Sequence, residues 1–110
     1  MDIRYGIIEK IMLSCLQELI KIYDIADRVS CIDSDCNDVS GNVTVRFYCR
    51  STNFKSIHKQ CVSFNYLSIK QFPDMAIPQM VKATCSREFS LILLREEFYD
   101  KFAERTWKIK

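Results

Sequence analysis

The chain has 110 residues, 48% of them hydrophobic and 27% charged, with a net charge of +2. That is the composition of one ordinary globular domain spanning 1–110, and it excludes a second independent core or an extended disordered segment. Glycine occurs only at 6 and 41. Phosphate-cradling loops need several glycines for close backbone approach, so a P-loop or a dinucleotide fingerprint is excluded too.

The first fifteen residues carry Asp2, Glu9 and Lys10 within their apolar run, which argues against a secretory leader. No stretch reaches the 18 or so uncharged apolar residues of a membrane span. The expectation is an intracellular protein of cytoplasm or nucleus with no membrane partner. Its six cysteines (15, 31, 36, 49, 61 and 85) are then expected reduced, and the sequon at Asn42 is expected unused. Thirteen isoleucines against four alanines suit an AT-rich coding sequence, such as many viruses have, and make a viral accessory factor one expected origin.

Residues 3–24 predict a helix. Ile7/Ile8, Ile11/Met12, Cys15/Leu16 and Leu19/Ile20 recur every four residues, and Asp2 stands at the N-cap position. The balanced polar face suits packing on a sheet rather than lying on a membrane. Val29 to Ile32 predicts a short strand, with the acidic run behind it as a loop. Asp33, Asp35 and Asn37 resemble the opening of a calcium loop, but Asp38 replaces the required glycine and Thr44 the bidentate glutamate.

The strongest strand signal follows. Val43, Val45, Phe47 and Cys49 alternate with Thr44, Arg46, Tyr48 and Arg50. After a turn near Thr52 to Lys55, Val62, Phe64 and Tyr66 resume the alternation, so an antiparallel hairpin is expected. From Val39 to Pro73 there is no acidic residue, whereas Asp24, Asp27, Asp33, Asp35 and Asp38 precede it with only Arg28 among them.

The segment 71–80 reads as a connector, because prolines 73 and 78 do not fit together inside one helix. Residues 87–94 predict a buried strand and 95–107 a helix; one continuous helix from Ser86 is the alternative. The expected fold is therefore α+β. Its N-terminal and C-terminal helices would pack on one face of an antiparallel sheet of three to five strands.

Four constellations carry chemistry. Cys31, Cys36, His58 and Cys61 could bind one structural zinc as paired ligands flanking a hairpin; the bland alternative puts Cys31 and Cys61 in the core. Arg46, Tyr48, Arg50, Lys55 and Lys59 could form an RNA- or DNA-binding face, since an aromatic ring among cations suits base stacking with phosphate pairing. His58 and Cys61 could form a nucleophilic dyad only across a bulge or turn, because residues three apart on a strand face opposite ways.

The fourth constellation is a protein-docking surface of Phe72, Met75, Ile77 and Met80 in the loop with Tyr99 and Trp107 on the last helix, which could also support a homodimer. The favoured reading is a small non-enzymatic interaction protein, with no cofactor, docking a partner protein through this surface. The nucleic-acid module, with or without zinc, is the alternative.

Overall fold

The computed structural model describes residues 1–51 and 56–109, giving only the course of the helix over 98–109. It holds helix α1 (Ile3–Ile22), strands β1 (Val29–Asn37), β2 (Asn42–Arg50) and β3 (Ile57–Asn65), a 3₁₀ turn (Asp74–Ala76) and helix α2 (Ile77–Ile109). The three strands form an antiparallel sheet in the order β1-β2-β3. This is an α+β fold with a helix at each end of the chain.

Helix α1 begins where its sequence says it should. Asp2 caps it by accepting from the Arg4 backbone N–H at 2.9 Å. The same carboxylate takes the Arg4 guanidinium at 2.8 Å and the Tyr66 hydroxyl at 3.0 Å, which ties the helix start to the chain beyond β3. The Arg4 guanidinium and backbone N–H, in that order, hold the Asp2 carboxyl well below the usual carboxylate range, against burial and with help from Tyr66.

A carboxyl depressed in this way stabilises the fold fully above its unfolded pKa of about 3.8 and loses that contribution as pH falls toward the folded value. Asp2→Asn is therefore expected to lower the thermal midpoint at pH 7. The gap to wild type should shrink below about pH 4 and close in strong acid. Thermal unfolding of both proteins from pH 7 to pH 2 checks this, and a gap independent of pH contradicts it.

The hairpin keeps the expected faces. Val43, Val45, Phe47 and Cys49 are buried, and so are Val62, Phe64 and Tyr66. They share one core cluster with Tyr5, Ile8, Met12, Leu16 and Ile20 of α1 and Ile77, Val81, Cys85, Phe89 and Ile92 of α2. Gly41 turns the chain between β1 and β2 at φ 80°; a Cβ there would lie 2.5 Å from Leu67 Cγ, so this position requires glycine.

Three boundaries differ from expectation. β1 runs on through the acidic segment to Asn37, because Asp33 and Asp35 point outward and pair with β2 opposite Arg46 and Thr44. β3 starts at Ile57, ahead of Val62 where the alternation resumes in the sequence, and 57–60 already belong to the ladder.

The expected strand at 87–94 is helix. α2 is continuous from Ile77, since Pro73 precedes the helix and Pro78 falls in its first turn, where a missing N–H costs nothing. The described residues thus hold three strands and no fourth. All six cysteines are free, Cys31 and Cys61 exposed and Cys15, Cys49 and Cys85 buried.

Candidate functional site

The polar face of β2 carries the basic residues singled out from sequence, but Arg46 is not free there. Its Nε donates to Asp33 at 3.0 Å and its Nη1 to Asp35 at 3.1 Å. The two carboxylates push the guanidinium pKa up and meet its charge within the molecule. Tyr48 is 40% exposed, with Lys59 opposite it in the ladder. Arg50 is exposed and Lys55 lies outside the described residues. The acidic segment and the acid-free strands are therefore cross-strand neighbours, and the strand cation at the centre of the proposed stacking face is already paired.

The four zinc candidates do not converge. Cys36 sits opposite Val43 and His58 opposite Cys49, toward opposite ends of β2. Cys61 lies opposite Arg46 on the other face of the sheet, and Cys31 is exposed at a bulge between Ser30 and Asp33 with φ 55°. The core reading of Cys31 and Cys61 is equally displaced, since both thiols are exposed and neither packs inside. Cys36 Sγ instead approaches Glu9 Oε2 at 3.4 Å, and burial first, then that carboxylate, raises its pKa to about 11. Among the described residues no three His, Cys, Asp or Glu side chains are placed to hold a metal ion.

The β2–β3 register runs from Asn42↔Asn65 to Arg50↔Ile57 without a bulge, so His58 and Cys61 face opposite ways and form no dyad.

What His58 does meet is a residue that strand periodicity did not single out. Glu96 of α2 is 1% exposed, and His58 Nδ1 lies 2.8 Å from its Oε2. Gln60 Nε2 donates to Glu96 Oε1. An open groove of about 440 Å³ runs beside this trio, lined by Ile57, His58, Lys59, Gln60 and Arg95. A signal for Glu96 existed in the sequence. It completes the stripe Ile77, Val81, Cys85, Phe89, Ile92, Glu96, visible once 77–96 is read as one helix.

The docking candidates divide. Ile77 is 3% exposed and Met80 packs against the core, so these two serve the interior; the helix that starts at 77 turns them inward. Met75 is 86% exposed and Phe72 44%. Ile3 and Ile7 of α1 are also exposed, and Ile7 lines a crevice of about 70 Å³ with Arg4, Asp74, Ile77 and Pro78.

The side chains of Tyr99 and Trp107 lie outside the described residues. Their positions on α2 are far from this patch, because α2 rises about 1.5 Å per residue from Ile77 and the molecule is 55 Å long.

No helix among the described residues is long and apolar enough to cross a membrane. Comparison with protein families, curated proteins and solved structures gives no match.

Proposed function

We propose that this chain is a small non-enzymatic interaction protein that docks a partner protein at the junction of α1 with the 3₁₀ turn. The observation that carries this reading is the cluster of large apolar side chains left in water there. Ile7 lines the crevice with Pro78. Arg4 and Asp74, paired at 3.3 Å, form its polar rim, and the exposed Ile3 and Met75 are the chain neighbours of those two rim residues. An apolar centre with a polar rim is the anatomy of a transient protein interface. On this reading both helices cover one face of the sheet and meet the partner at the end where α1 begins. The other face is held closed electrostatically by Asp33, Asp35 and Arg46.

Site-specific photo-crosslinking tests it. A benzophenone side chain is placed at Met75, with a second chain carrying it at Val39, which is 88% exposed in the β1–β2 turn and serves as control. In nuclease-treated extract, position 75 is expected to give a discrete protein adduct and position 39 none. Excess wild-type chain should compete for that adduct, and an Ile7→Glu/Met75→Glu chain should not. Identical adducts from both positions, or none from 75, overturn the reading.

A further inference from the structure

The two edges of the sheet are built differently. On β1, the bulge at Cys31 and the exposed carboxylates of Asp33 and Asp35 break regular pairing and repel another strand of the same kind. On β3, the strand from Ile57 to Asn65 is regular and carries neither proline nor an acidic residue. Such an edge is open to strand addition.

The phase of the ladder shows which groups are available. Ser51 N–H donates to the Ser56 carbonyl at 2.9 Å and Tyr66 N–H to the Gly41 carbonyl at 2.8 Å. Even-numbered residues of 56–66 therefore exchange hydrogen bonds with β2, and Ile57, Lys59, Cys61 and Ser63 turn their N–H and C=O groups outward. The Asn65 carbonyl already accepts from Ser68 Oγ, which closes the run at that end.

Helix α2 flanks this edge in antiparallel sense. Glu96 meets His58 and Gln60 at one end, and Thr84, Arg87 and Glu88 line a groove with Ser63, Phe64 and Asn65 at the other. With rises of about 3.3 Å per strand residue and 1.5 Å per helix residue, Leu91 falls level with Cys61. Leu91 is 46% exposed and stands at helical spacing between Glu88 and Arg95, each of which lines a groove on the β3 side. Leu94, one turn on, is 61% exposed.

We propose that two copies of this chain pair through the β3 edge and the adjoining stripe of α2, about a two-fold axis at Cys61. The stripe is self-complementary about that axis. Leu91 meets its own copy, and Glu88 of each chain comes within one residue's rise, about 1.5 Å, of the level of Arg95 of the other. Among the described residues of one chain, Glu88 has only the 3.8 Å approach of Arg87, and none forms an ion pair with Arg95. Along the strands, Lys59 comes opposite Ser63, so no like charges face each other. The interface is isologous and closes on itself, which an addition of β3 to the acidic β1 edge would not. It also leaves Met75 and its neighbours free, so it stands apart from the docking patch.

The test is sedimentation equilibrium of the full chain over a wide concentration range, with dibromobimane as a short thiol crosslinker. The expected result is a monomer–dimer equilibrium with a fluorescent crosslink that Cys61→Ser abolishes and Cys31→Ser leaves intact. Leu91→Glu should remove the dimer. Glu88→Arg and Arg95→Glu should each weaken it by about tenfold or more, and the double reversal should restore it. All these side chains are exposed or half-exposed, and circular dichroism confirms that each variant is folded. A chain of monomer mass throughout, or a dimer indifferent to Leu91→Glu and to the charge reversals, overturns the proposal.

Discussion

Phe89→Ala is expected to lower the unfolding free energy by about 3–5 kcal/mol, a large share of what a domain of this size has. Phe89 is 0% exposed, and its ring lies 6.0 Å from that of Phe47 on β2 and 5.7 Å from that of Tyr23 at the end of α1. It is where both helices and the sheet meet, so the cavity left behind has three walls that cannot all close. The aromatic contacts add about 0.5–1.5 kcal/mol beyond the area lost.

The pattern around Phe89 matters as much as its size. Ile92→Ala should also be costly, because Ile92 is 1% exposed, whereas Leu91→Ala, measured at concentrations where the chain is monomeric, should cost under about 1 kcal/mol. A buried strand over 87–94 would instead put residues 89, 91 and 93 on one face. Urea titration of the three variants separates the two, and a loss at Leu91 equal to that at Phe89 would reinstate the strand.

The elements legible in the sequence are those whose periodicity repeats often enough to decide between patterns. α1 shows four successive apolar pairs and a capping aspartate, and the hairpin shows four inward residues on β2. The misread elements are those in which a tertiary contact outweighs local preference. Asp33 and Asp35 are poor strand residues by propensity, yet each bonds Arg46 across the ladder, which offsets that cost. In 87–94, SLILL is apolar on every side, so neither period stands out there. The helical phase comes from Val81 and Cys85 before it and Glu96 after it.

Much of the candidate site was hidden for the same reason. Met75 is legible as an apolar residue of the connector, but that Ile77 and Met80 turn inward follows from a helix beginning at 77, which the two prolines conceal. Charge patterning found the basic strand face, but only the register shows that Asp33 and Asp35 stand beside Arg46 rather than in a separate loop. The match between Glu88 and Arg95 about Leu91 depends on the level at which α2 passes β3, which no single segment specifies.

The second large effect is expected at the contact between β3 and α2, and its signature is an asymmetry. Glu96 is the buried member of the trio, whereas the side chain of His58 is 34% exposed. Removing the imidazole takes a hydrogen-bonding partner from a carboxylate that water barely reaches, which should cost about 2–4 kcal/mol. Replacing the carboxylate by an apolar side chain of similar size leaves His58 and Gln60 beside an open groove, where water takes up their polar atoms. Glu96→Leu should therefore cost under about 1.5 kcal/mol.

The two changes are then not additive. The double variant His58→Ala/Glu96→Leu should recover most of the stability lost in His58→Ala alone, because the group that suffered from losing its partner is no longer there. Denaturant titration of the four chains closes this cycle. If the double variant is as unstable as the sum of the singles, Glu96 is not held by His58, and the link between β3 and α2 rests on Gln60 and packing. Recovery in the double would identify the buried carboxylate as the reason this histidine faces inward.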